Sequence, residues 1–170
     1  MFGLSPSEAT MDAIDRALVR ELQADASITN RELARRVGVS PSTALERVRA
    51  LHRRGIVTGY HAEVSLRALG REVQALVSVR VRPPTRDRID AFLDYAGGLP
   101  ELVDAYLVTG HEDVILHVAV SDTDALYSLV IDHLTARPEV IDVRTSIVYA
   151  HRRRHVVEPL PTRSDRGGDG

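Results

Sequence analysis

The chain has 170 residues, with 22 basic and 24 acidic side chains and a formal net charge of −2, a length that fits one ordinary domain or two small ones. It has no cysteine, which excludes disulfides, zinc-ribbon sites and thiol catalysis together. With 4% aromatic residues and no Trp, it lacks the stacking platform that single strands and RNA require.

No apolar run reaches 18 residues, so no membrane span is expected, and the opening MFGLSPSEATMDAIDR does not resemble a secretory signal. A cytoplasmic protein is the natural expectation. Residues 1–10 read as a loose polar arm. From Met11, the segment MDAIDRALVRELQADA places Ile14, Leu18 and Leu22 on one stripe, which predicts an amphipathic helix of about 13 residues.

Thr29 with Glu32 three residues later reads as a capping box, starting a short helix near Asn30. Leu33, Ala34 and Val37 share its apolar face, and Gly38 can take the left-handed conformation that ends it. Ser40 and Pro41 are a second start signal, a good cap followed by the residue suited to the first helical position. The second helix is predicted to run to about Arg54 with Gly55 as its stop, burying Ala44, Val48 and Leu51. Residues 31–54 hold seven arginines against two glutamates, a local charge of +5 in an overall acidic chain. Two short helices across a tight turn, the second cationic, have the form of a helix-turn-helix that binds double-stranded DNA. Base edges are expected to be read by Ser42, Thr43, Glu46 and Arg47, with Arg49, Arg53 and Arg54 on phosphate and Arg31 and Ser40 in the same interface.

Residues 56–64, IVTGYHAEV, have strand character broken at Gly59 and predict a small two-stranded wing. SLRALGR, 65–71, reads as a short connector stopped by Gly70. The period then changes to two: Val73, Ala75, Val77, Val79 and Val81 alternate with Gln74, Leu76, Ser78, Arg80 and Arg82 in a half-buried strand ended by Pro83 and Pro84. Next come a helix over 85–97, strands over 102–108 and 114–120, a helix over 123–135 capped by Ser121 or Asp122, and a strand over 140–149. The order β-α-β-β-α-β is that of a ferredoxin-like sandwich, so the fold class is α+β, an N-terminal winged helix-turn-helix with a C-terminal ferredoxin-like domain. The expected divisions are 1–64 for DNA binding, 65–71 as linker, 72–155 for effector binding and oligomerisation, and 156–170 as a flexible tail. Leu76, Ile115 and Ala119 leave the far face of the sheet partly apolar, which implies self-association as a two-fold dimer. Residues 101–142 carry nine acids and one arginine, a charge of −8 that DNA would repel.

Catalysis is not expected. His111, Glu112 and Asp113 stand next to one another in a strand turn, where side chains diverge, and no second cluster completes a site. His151 and His155 have metal-ligand spacing only if their segment is helical, and within the intervening arginines they read as part of a solvated or phosphate-facing tail. His117 reads as a structural residue on the outer face of the sheet.

Met11-Asp12-Ala13-Ile14-Asp15-Arg16, then Val39-Ser40-Pro41 with Leu45-Glu46-Arg47-Val48, then Val108-Thr109-Gly110 with Asp113, together resemble the Lrp/AsnC family of regulators over about residues 11–155. The resemblance implies transcription factors that dimerise, often assemble into octamers, wrap DNA and respond to an amino acid bound between dimers. Carried over by position, it places the effector on Thr109, Gly110 and Asp113, with Ser146, Ile147 and Val148 on the facing last strand. His111 and Glu112 fall inside the same turn, where the family commonly has an acidic and then an aromatic residue. No cofactor or metal is implied beyond the amino-acid effector. The alternative reading is a DNA-organising protein of the same fold that needs no effector.

Overall fold

The computed structural model describes residues 11–160, which form two compact units, one from 11–62 with 152–160 and the other from Glu63–His151. The arm expected over 1–10 and the tail from 161 onward lie outside the described residues.

The first unit is three helices: α1 Ala13–Ala24, α2 Asn30–Val37 and α3 Pro41–Arg53. Each begins where a short polar side chain can serve the exposed backbone amides. Asp12 accepts from the Asp15 amide, Thr29 from the Glu32 amide and Ser40 from the Thr43 amide. The capping box is only half formed, because the Glu32 carboxylate turns to Arg35 and Arg36 instead of back to Thr29. Gly38 ends α2 at φ 76°, a conformation that a side chain would strain. Leu18, Leu22, Leu33, Ala34, Ala44 and Leu51 form the core of this unit.

The wing does not form. Residues 56–64 lie outside every strand, and the amides of Ile56 and Val57 both bond back to the Leu51 carbonyl. Their side chains join the helical core, so packing takes the residues whose alternation suggested a strand. An isolated two-stranded ribbon has too little partner surface to compete.

The second unit is a four-stranded antiparallel sheet, order β2-β3-β1-β4, from β1 Val73–Val81, β2 Leu102–Leu107, β3 Val114–Val120 and β4 Val140–Ile147. Helix α4, Arg86–Gly97, and the segment 123–135 cover one face. Alternation in β1 delivers Ala75, Val77, Val79 and Val81 to that face, where β3 adds Val114, Leu116, Val118 and Val120. Phe92 and Ala96 of α4 close over them, with Leu126, Leu129 and Leu134.

Three differences from expectation have local causes. The helix expected over 123–135 is α-helical only through Ser128, and Leu129–Thr135 is a π-helix. Bonding across five residues brings residues five apart over one another, which lets Leu129 and Leu134 both reach the core. Strand β4 ends at Ile147 rather than Tyr149, although the Val148 amide still bonds the Gln74 carbonyl. On the far face Leu76 is exposed as expected, but Ala119 is 1% exposed and adds no apolar surface there. Arg71 crosses this end of the sheet to the carbonyls of Ala119, at 2.9 Å, and Pro100, at 2.6 Å.

Phe92 is fully buried at the centre of the sheet unit. Phe92→Ala is expected to lower unfolding free energy by about 3–5 kcal/mol in urea titration. A loss below 1 kcal/mol would mean that the site collapses around the cavity.

Candidate nucleic-acid interface and effector turn

Helix α3 sorts its side chains by periodicity. Ala44 and Leu51 are buried, whereas Ser42, Leu45, Glu46, Arg49 and Arg53 are exposed at positions i, i+3, i+4, i+7 and i+11, a single face. On this face a hydroxyl, an acceptor and two guanidiniums stand ready for base edges and phosphates. Leu45 was not among the sequence candidates. It is 40% exposed, an apolar side chain suited to a thymine methyl group, and the signal for it was its place one step outside the buried stripe.

The expected arginines divide into two groups. Arg47 does not belong to the free face: its Nη1 donates to Asp12 and, at 3.0 Å, to Asp15 of α1. Arg54 likewise donates to the other Asp15 oxygen at 2.9 Å. Asp15 is 6% exposed, so a nearly buried carboxylate holds the middle and the end of α3 against α1. Both guanidiniums therefore make ion pairs within the fold, a role that the expectation of base reading by Arg47 and phosphate binding by Arg54 did not include. Hydrogen bonds from the Asp15 amide first, and then from Arg47, hold the Asp12 carboxyl below its ordinary range.

The remaining candidates follow the same logic. Ser40 is the cap of α3, and its Oγ lies 2.9 Å from Ser42 Oγ and 2.8 Å from Thr43 Oγ1, so this hydroxyl group orders the helix start. Thr43 is half-buried at the edge of the face. On α2, Arg35 first and Arg36 second hold the Glu32 carboxyl down at about 2, and Arg36 also reaches Glu21 at 3.1 Å. Arg31, Arg49 and Arg53 have no carboxylate partner among the described residues of this unit. The local charge of +5 is thus largely neutralised in place, and these three cations remain for an anion.

In the sheet unit the β2–β3 turn is closed by the Val108 amide bonding the Asp113 carbonyl at 3.0 Å, with Gly110 at φ 142°. Thr109, Gly110 and His111 are exposed. Asp113 is turned the other way. Its amide donates to the Val79 carbonyl at 3.1 Å, and its Oδ2 accepts from the Val81 amide at 2.8 Å and from Arg82 at 3.2 Å. The carboxylate expected to receive an α-ammonium therefore fastens the turn to β1. Glu112 lies 3.9 Å from Arg144 and 3.8 Å from His111.

The last-strand candidates are not brought to the turn. Ser146 pairs with Leu76 on the open face, Ile147 with Ala75 on the helix-covered face, and Val148 bonds Gln74. Asp113 contacts β1 at Val79, three to five residues along from these positions, roughly 10–17 Å away at about 3.4 Å per residue. His117 sits on the open face with Nε2 3.0 Å from Gln74 Oε1. Among the described residues no group of three or more His, Asp or Glu side chains could hold a metal ion, and no helix is long and apolar enough to cross a membrane.

A capped helix-turn-helix with a cationic exposed face, joined in one chain to an α/β sandwich, defines a DNA-binding transcriptional regulator with a ligand domain. Residues 11–52 match the AsnC-type helix-turn-helix domain and residues 74–157 the Lrp/AsnC ligand binding domain. The HTH-type transcriptional regulator AldR of Mycolicibacterium smegmatis is 36% identical over 143 residues, covering 84% of each chain. Transcriptional regulator AzlB of Bacillus subtilis is 35% identical over 150 residues, 88% of this chain and 96% of its own. A transcriptional regulator of Neisseria meningitidis, solved as a complex with L-Met, superposes with a TM-score of 0.80 at 30% identity, over 91% of this chain and 99% of that one. The chain belongs to the Lrp/AsnC family.

Asp15 tests the internal role of the arginines. Asp15→Ala leaves two guanidiniums without their shared carboxylate, and is expected to cost about 2–3 kcal/mol in urea unfolding. An unchanged midpoint would show that these ion pairs do not hold α3 in place.

Proposed function

We propose that this regulator works as a two-fold homodimer, assembling further up to an octamer of four dimers, that reads double-stranded DNA through α3 and responds to an amino acid held at the β2–β3 turn. Residues 1–64 serve DNA binding, 65–71 link, and 72–155 carry the effector and the contacts between copies. The observation that carries the DNA assignment is the division on α3. Arg47 and Arg54 fix the helix from within, while Ser42, Leu45, Glu46, Arg49 and Arg53 are free along one face. Paired α3 helices of a dimer would enter major grooves about one helical turn, or a multiple of it, apart. Arg31, from α2, supplies a phosphate contact beside them.

For the effector, the supporting features are the exposed residues Thr109, Gly110 and His111 in a glycine turn, whose backbone amides suit an α-carboxylate, and the L-Met bound by the Neisseria meningitidis relative. Glu112, half-buried and loosely placed against Arg144, is a better candidate for the α-ammonium group than Asp113, whose carboxylate is already engaged. Ser146, Ile147 and Val148 take part only through a second copy. His111 and Glu112, adjacent in the turn, give the site a polar rim.

Two expected outcomes follow from these assignments. Arg49→Ala should weaken operator binding roughly tenfold to hundredfold while leaving Tm unchanged, whereas Arg47→Ala should lower Tm; the reverse pattern, seen by anisotropy titration and thermal melts, would exchange their roles. In a thermal-shift screen against the twenty amino acids with light scattering on each hit, a raised Tm with a changed oligomer mass is expected for at least one. No hit across the set would favour a DNA organiser that needs no effector.

A further inference from the structure

From Arg152 onward the described chain groups with the helical unit, not with the sheet it leaves. Within what the sequence suggested as a flexible tail, one residue is clasped on both sides. Gln23 Nε2 donates to the Val157 carbonyl at 3.1 Å, and Gln23 Oε1 accepts from the Val157 amide at 2.9 Å. A carboxamide that bonds both polar groups of one residue imitates a rung of a β-ladder, fixing the backbone whatever side chain it carries. Glu158, next in sequence, lies 3.9 Å from Arg20 on the same helix. Gln23 stands in the last turn of α1, and residues 25–29 lead from there into α2, where Arg31 is exposed with no acidic partner among the described residues.

Just before the clasp come Arg152, Arg153 and Arg154. All three are exposed, and none has an acidic partner among the described residues. An extended chain covers about 3.4 Å per residue, so their backbone is tethered within roughly 10–17 Å of Val157. The segment has no regular secondary structure that could enter a groove and present a fixed pattern to base edges. Its chemistry is adjacent positive charge held against a DNA-binding unit, which a phosphate backbone rewards by releasing counterions.

We propose that Arg152, Arg153 and Arg154 make a second, sequence-independent contact with the phosphates of the same duplex that α3 reads, and that Gln23 positions them for it. The contact adds affinity and salt dependence without adding sequence preference. It rests on the DNA-binding role of α3, and the experiment separates the two. Full-length protein is titrated by anisotropy against its selected operator and a scrambled duplex over a salt series. Absence of operator preference in the wild type would refute the role of α3.

With that preference present, R152Q/R153Q/R154Q should flatten the plot of log affinity against log salt by about 2–3 per chain, since each phosphate contact contributes about 0.9. The ratio of operator to scrambled affinity should stay the same. Gln23→Ala should give part of the same flattening. An unchanged slope in the triple variant overturns the contact, and a full wild-type slope in Gln23→Ala beside a flattened triple variant overturns the role of the clasp. A changed oligomer mass with an unchanged slope would put the arginines on the acidic sheet unit of another copy, and would also overturn the proposal.

Discussion

One carboxylate determines what the reading helix can do. Asp15, almost buried in α1, takes Arg47 on one oxygen and Arg54 on the other, and so fixes both the middle and the end of α3. A carboxylate in that position is stable only while its cations are present, and the cations cannot leave for DNA without exposing it. The ion pairs therefore set the rotation of α3, and the rotation decides which five side chains face outward. Under the proposed assignment, specificity on the outer face would be inherited from charge on the inner one.

The sheet unit uses the same device at its turn. Asp113 spends its carboxylate on the Val81 amide and Arg82, holding the turn to the central strand. Beside it, Gly110 sets the turn in a conformation glycine can adopt, and the Glu112 carboxylate lies 3.9 Å from Arg144. Under the proposed assignment, main-chain donors of the turn would recognise the group all amino acids share and leave discrimination to the surroundings.

Most of the fold was legible because local signals agreed. The caps at Thr29 and Ser40, the glycine stops at Gly38 and Gly70, and the period-two run from Val73 to Val81 each specify an element without help from distant residues. The wing was misread because Ile56 and Val57 have β character by type, yet the helical core claims them, which no local pattern reveals. The site was less legible for a related reason. Residue type marks Arg47 and Asp113 as functional, but whether a charge is spent inside the fold depends on a partner 32 or 31 residues away. Leu45 escaped notice because an apolar residue in a helix is first read as core.

The distance between the β2–β3 turn and the end of β4 has a consequence of its own. Both lie along β1, three to five residues apart, a span of roughly 10–17 Å at about 3.4 Å per residue. Under the proposed assignment, a ligand shared between the turn of one copy and the end of β4 of another would have an apparent affinity that rises with protein concentration, and would in turn favour association. A regulator built this way would measure the product of two quantities, the abundance of its effector and its own, and its response threshold would move as the cell makes more of it.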